Sequence, residues 1–73
     1  MSKLPQVSGP ELVRALEKLG FSVRRQHGSH IILRRDDPYA QTVVPSHRQI
    51  DRGTLRAILR QTGITPEDLT SLL

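Results

Sequence analysis

The spacing of the apolar residues changes twice along this chain, and that change is the strongest constraint on its fold. Near the amino terminus, apolar side chains recur at intervals of three and four residues, which is the spacing of one helix face. These side chains are Leu12, Val13, Leu16 and Leu19. Between residues 21 and 45 the apolar residues alternate with polar ones or form short runs, as in strands. Helical spacing returns with Leu55, Ile58 and Leu59, so the pattern predicts a helix, several strands and a second helix.

Capping residues precede each predicted helix. A Ser, Thr or Asp side chain at this position accepts a hydrogen bond from a free backbone N–H of the first helical turn. The candidate caps are Ser8, Asp51 and Thr65. Gly20 and Gly63 follow the first two helices, where glycine commonly ends a helix. Thr65 is expected to cap a short third helix, with Pro66 at its first position.

Three short runs predict strands, namely Phe21–Arg24, Ile31–Leu33 and Thr42–Val44. The residues His27-Gly28-Ser29 predict a tight turn between the first two strands, and Asp36-Asp37-Pro38 is expected to open a longer loop.

The resulting order is α-β-β-β-α with a short C-terminal helix. Its simplest folded form is an α+β domain, in which two helices cover one face of a three-stranded antiparallel sheet. This is the architecture of a double-stranded-RNA-binding domain. The length allows one domain, residues 1–73.

Charge and composition narrow the classes of function. Lys and Arg together number eleven against seven Asp and Glu, a formal net charge of +4. Nine of the eleven are arginines, which bind phosphate in a bidentate way. Such a surface favours a polyanionic partner, although a solvated basic face is the simpler alternative. Phe21 and Tyr39 are the only aromatic residues, too few to read RNA by stacking bases.

The chain has no cysteine and no apolar run near the roughly 20 residues that span a membrane. Its amino terminus lacks the apolar core of a signal peptide. We therefore expect a soluble cytoplasmic protein with no membrane association.

His30 is the leading candidate for chemistry. It follows the turn formed by Gly28 and Ser29 and begins the second strand. Histidine both takes up and releases protons near neutral pH, as cleavage of RNA through its 2′-OH requires. If Ile31 and Leu33 face the core, alternation places His30 and Arg34 on the opposite face. The alternative is a structural histidine that hydrogen-bonds within its own turn.

The other histidines have several possible roles. His47 follows Val44-Pro45-Ser46, a strand that ends at a proline corner. It could be a second acid–base group, a phosphate donor or a structural residue of the loop, and we expect the structural or supporting role. His27 and His30 have a spacing that metal ligands use, but no nearby carboxylate completes a ligand set, so no metal is expected.

Arginines follow the second predicted helix at intervals of four residues, so they lie along one stripe of it. They are Arg52, Arg56 and Arg60, with Arg48 just upstream. Together with Arg34 they are the candidate phosphate-binding residues.

Three motifs in this order resemble the HicA toxin family, small bacterial ribonucleases that cut mRNA. The motifs are Gly28-Ser29-His30, Val44-Pro45-Ser46-His47, and Gly53-Thr54-Leu55 with Ile58-Leu59. Each is weak alone, but together they are specific in so short a chain.

The resemblance implies a double-stranded-RNA-binding-like fold and metal-independent endoribonuclease activity on mRNA. It also implies that His30 is the single catalytic histidine and that a HicB-like antitoxin neutralises the protein. We expect no cofactor. Composition alone fits two alternatives nearly as well, a non-catalytic RNA-binding module and a protein that binds an acidic protein partner.

Overall fold

The computed structural model describes residues 3–73 and contains six elements in the predicted order. The helices are α1 (Gly9–Lys18), α2 (Arg52–Thr62) and α3 (Pro66–Leu72). The strands are β1 (Ser22–His27), β2 (His30–Asp36) and β3 (Tyr39–Pro45). They form one antiparallel sheet in the order β1-β2-β3. The α+β layout, the three-stranded antiparallel sheet and the C-terminal helix are therefore confirmed.

The predicted caps begin the helices. At α1, the Glu11 backbone N–H donates to Ser8 Oγ at 3.1 Å, and the Ser8 N–H donates to Glu11 Oε1 at 2.8 Å. This reciprocal pair satisfies two backbone donors that the helix itself leaves free. Thr65 and Asp68 make the same arrangement at α3. Gly63 ends α2 in the left-handed conformation, with φ of 75°.

The helices cover one face of the sheet only. From β2, Ile31 and Leu33 point into the core, while Ile32 between them lies on the other face. Val44 and Thr42 on β3 point into the core in the same way. The fully buried side chains against them come from all three helices: Leu12, Leu16, Leu55, Ile58 and Leu69. The second face of the sheet, which we call the open face, carries no helix.

The second turn is shorter than the sequence indicated. Asp36 and Tyr39 are partners across β2 and β3, so Asp37 and Pro38 alone connect the strands. The expected longer loop at Asp36-Asp37-Pro38 is therefore wrong. The strand pairing extends beyond the apolar run Ile31–Leu33 and takes in polar residues that a hydrophobic pattern does not mark.

The edge strand β1 contains a β-bulge. Val23 is opposite Leu33 and Arg25 is opposite Ile32, so Arg24 between them is an extra residue. Val23 lies on the core face but is 44% exposed. The helices therefore cover β2 and β3 more completely than they cover β1.

A close contact joins the start of α1 to the end of β3. A Cβ atom at Gly9 would run into the Pro45 carbonyl oxygen and would lie 2.9 Å from Ser46 Cα. The Gly9 N–H donates to the His47 carbonyl at 2.8 Å. Only glycine allows the two backbones to approach this closely.

Helices that could cross a membrane are absent from residues 3–73, because no helix there is both long enough and apolar enough.

We predict that Gly9→Ala destabilises the protein by about 1–3 kcal/mol, because the added methyl group must push the Pro45–Ser46 backbone away. Urea denaturation measures the change. Gly53→Ala is the matched control. A Cβ at Gly53 meets only Asp51 Oδ2, at 3.4 Å, so that variant should equal wild type or gain up to about 1 kcal/mol. Equal stability of Gly9→Ala and wild type would contradict the close contact.

The Asp51 cap predicts a loss of stability in acid. The Thr54 hydroxyl and then the Thr54 N–H donate to the Asp51 carboxylate, and these bonds lower its pKa below the ordinary aspartate value. The ionised cap therefore stabilises the folded state above about pH 4, and that contribution disappears as the pH falls through the lowered folded-state pKa.

Asp51→Asn separates the cap from its charge, because asparagine caps a helix but does not titrate. We expect this variant to keep most of the stability at neutral pH. Its urea midpoint should fall less than that of wild type when the pH is lowered from about 7 to about 3. Some acid sensitivity remains, because Ser8 lowers the pKa of Glu11 in the α1 cap. Identical pH dependence in the two proteins would contradict the assignment.

Candidate functional site

The open face carries most of the polar residues that the sequence singled out. Residues directly opposite each other in an antiparallel sheet share a face. The pairing therefore defines three rows across the open face. They are His27–His30–Pro45, Arg25–Ile32–Val43 and Ser22–Arg34–Gln41. His30 thus lies at one end of an uncovered surface, and Arg34 lies on the same surface, as the alternation predicted.

His30 is exposed and directly follows a two-residue turn. Gly28 has a φ of 56°, and no residue other than glycine has a positive φ in the described chain. This sign pattern is that of a type II′ hairpin turn, whose first central position favours glycine. The Gln26 side chain donates to the Gly28 carbonyl at 2.8 Å and steadies the turn. Gly28 and Ser29 therefore set the direction in which β2 begins.

The corner Pro45-Ser46-His47 lies next to this turn and is hydrogen-bonded to it. Pro45 is the β3 partner of His30, and the Ser46 N–H donates to the Ser29 carbonyl at 2.6 Å. The His47 carbonyl accepts from Gly9, as described above. The two histidine motifs are thus neighbours in space, although His47 lies beyond the end of β3 and is exposed. Backbone contacts from both sides hold the corner in place.

The two arginines of β2 have different environments. Arg34 is on the open face, with its Nε 2.9 Å from Asp36 Oδ1 as an ion pair. It lies four positions along β2 from His30, a backbone distance of roughly 13 Å in a strand. Arg35 is on the core face, where its guanidinium carbon lies 4.5 Å from the centre of the Phe21 ring. Arg35 is therefore a structural residue.

Arg25 lies nearer to His30 than Arg34 does, since it belongs to the adjacent row. Sequence reasoning did not select it. Regular alternation from Val23 would place Arg25 on the core face, and the bulge at Arg24 reverses that assignment. The short turn at Gly28 is the sequence feature that could have identified Arg25. If the strands pair regularly from that turn, His27 lies opposite His30 and Arg25 lies opposite Ile32, so both are on the open face.

The arginine stripe of α2 lies in the helical layer. Leu55, Ile58 and Leu59 form the buried side of α2, which packs against the core face of the sheet. The stripe residues Arg52, Arg56 and Arg60 are exposed on the remaining surface of that helix. Arg48 is exposed in the loop that follows His47. The structure does not bring the stripe together with His30, because the sheet and its core separate the two.

The described residues contain no cluster of potential metal ligands. Within residues 3–73, no three His, Asp or Glu side chains cluster in a way that would hold a metal ion. His27 and His30 are opposite each other at the end of the open face, with no third ligand of this kind beside them among the described residues.

The fold and the site define a class of small α+β protein with exposed histidines and arginines on an uncovered sheet face. Residues 9–64, more than half of the chain, match the family described as the HicA toxin of bacterial toxin-antitoxin. The chain therefore belongs to the HicA toxin family. The match includes all three motifs, and α3 lies outside it. No curated protein sequence matches the chain.

We predict that substituting the two arginines of β2 by alanine lowers the stability of the protein by different amounts. Arg35→Ala should cost about 1–2 kcal/mol, because it removes the contact with Phe21 and hydrogen bonds to the Pro38 and Leu19 carbonyls. Arg34→Ala should cost less, at most about 1 kcal/mol, because its ion-pair partner Asp36 is 76% exposed, although Arg34 itself is only 34% exposed. Thermal denaturation of both variants makes the comparison, and a larger loss at Arg34 than at Arg35 would contradict it.

Proposed function

We propose that this chain is the toxin of a HicA–HicB pair and a metal-independent endoribonuclease that cuts mRNA, with His30 as its catalytic residue. Membership of the toxin family supports the biological role. The observation that carries the chemical proposal is the position of His30. It is exposed at the end of a sheet face that no helix covers, where a flexible RNA strand can reach it.

The proposed reaction uses the RNA's own 2′-OH as nucleophile. His30 takes the 2′-OH proton, and the 2′ oxygen forms a bond to the adjacent phosphorus. The bond from phosphorus to the 5′ oxygen then breaks, and that oxygen receives a proton. The products are a 2′,3′-cyclic phosphate and a 5′-OH end. No water molecule or metal ion enters the bond changes, so the chain need supply only proton transfer and positive charge.

Arginines supply the positive charge in this proposal. We propose that Arg25, one row from His30, holds the phosphate that reacts, and that Arg34, two rows away, holds a neighbouring phosphate. A guanidinium that binds phosphate through two N–H groups positions it and stabilises the charge that builds up on it. Arg48 and the α2 stripe would hold phosphates further along the RNA. Gly28, Ser29 and His47 support the site through the turn and the corner.

A HicB-like antitoxin is the proposed inhibitor. The open face exposes apolar side chains as well as charged ones, with Val43 43% and Tyr39 68% exposed. A protein that covers this face would bury these side chains and at the same time block access to His30. We place both the activity and its inhibition in the cytoplasm, where the mRNA substrate is found.

Substitution of His30 tests the proposal. Purified wild-type protein should shorten mRNA in the presence of EDTA, whereas His30→Ala should leave it intact, because proton transfer of this kind contributes about 100- to 10,000-fold to the rate. Denaturing gels measure RNA length, and circular dichroism checks the fold. Gln41→Ala is the matched control, as it removes an exposed side chain of the same face and should cut like wild type.

Other outcomes identify the alternatives. Full activity in His30→Ala would contradict the catalytic assignment. Salt-sensitive RNA binding without cleavage by wild type would indicate a non-catalytic RNA-binding module. Absence of both cleavage and RNA affinity at physiological salt would favour an acidic protein partner.

A further inference from the structure

His27 lies directly opposite His30, and the two are partners across β1 and β2. Because directly opposed residues share a face, both imidazoles are on the open face. Both residues are exposed, and in the described part of the chain neither imidazole makes a hydrogen bond or ion pair. Opposed Cα atoms are about 5.5 Å apart or less in such a pair. The site therefore contains two histidines at close range.

The β-bulge at Arg24 makes this arrangement compatible with the rest of β1. Val23 is on the core face, and uninterrupted alternation from Val23 would place His27 on that face too. The extra residue shifts the alternation by one position, so His27 reaches the open face while Val23 stays on the core face. Bulges next to active sites commonly redirect a side chain in this way.

Cleavage through the 2′-OH requires two proton transfers. One group takes the proton from the 2′-OH, and another gives a proton to the 5′ oxygen as it leaves. In an in-line displacement, the entering and leaving oxygens lie on opposite sides of the phosphorus, so two groups placed on either side serve better than one.

We propose that His27 is the second catalytic residue of this site and forms an acid–base pair with His30. The proposal rests on the function proposed above. One imidazole accepts the 2′-OH proton and becomes imidazolium. The other begins as imidazolium and gives its proton to the 5′ oxygen as the phosphorus–oxygen bond breaks. Exchange of protons with water then restores both histidines.

Other groups near the site do not fill this role as well. Arg25, next to His27 on the same face and strand, carries a guanidinium group, which suits phosphate binding and not proton transfer. Pro45 is the β3 residue of the same row and does not titrate. His47 lies beyond the end of β3, outside the row. Asp36, the carboxylate of the open face, is at the far end of β2 and pairs with Arg34.

His27→Gln tests the proposal when its kcat/KM for RNA cleavage is measured against pH. We expect a loss of about 100-fold or more. For wild type, kcat/KM should rise and then fall with increasing pH, because one side of the curve reports the general base and the other reports the general acid. For His27→Gln, one of these two sides should be absent. Arg24→Gln, a change at the bulge of the same strand, is the control and should keep both sides.

A modified RNA tests which histidine is the general acid and which is the general base. Sulfur in place of the bridging 5′ oxygen gives a thiolate that leaves without needing a proton. With this substrate, the variant that lacks the general acid should approach the wild-type rate, while the variant that lacks the general base should stay slow. Recovery in one of His27→Gln and His30→Ala, and not in the other, supports the pair.

Two results would overturn the pair while leaving the ribonuclease in place. They are near-normal activity of His27→Gln with both sides of the pH curve retained, and failure of both variants to recover on the sulfur-substituted RNA. RNA that wild type leaves intact would overturn the proposed function, and the pair with it.

Discussion

The one-sided covering of the sheet is the constraint on which the rest of the structure depends. The helices of the described residues pack on one sheet face, and alternation along β2 decides which side chains lie on that face. Because Ile31 and Leu33 enter the core, His30 and Arg34 must face outward. The core therefore determines the location of the candidate site. A change that moved β2 by one residue would bury His30 and expose Leu33.

Tight backbone contacts hold the ends of the strands that carry the site. The turn at Gly28 joins β1 to β2, and the bond from Ser46 to Ser29 ties the end of β3 to that turn. Gly9 then fixes the same corner to the start of α1. Two of the three motifs that mark the family thus lie at a turn and at the end of a strand, where they set the direction of the chain, and the third begins α2. The motifs also supply core side chains, among them Val44, Leu55 and Ile58.

Helix starts, element order and the outward position of His30 follow from the sequence, because capping and alternation are local effects. The bulge at Arg24 does not follow from it, since nothing in Val23-Arg24-Arg25 distinguishes a bulge from regular alternation. Pairing across the Gly28 turn places Arg25 and His27 beside His30, and the bulge lets Val23 face the core as well. The position of the α2 stripe in the fold is a second feature that the sequence does not predict. Four-residue spacing aligns Arg52, Arg56 and Arg60 on one helix, but the packing of that helix places them in the layer away from His30.

The central claim is that the open face of the sheet binds and cuts RNA. The most direct measurement is NMR of the protein titrated with an RNA whose 2′-OH at the cleavage site is replaced by hydrogen, so that it binds without being cut. We predict that the largest shifts fall on His27, His30, Arg25 and Arg34. Shifts confined to the α2 stripe, with the open face unchanged, would contradict the account.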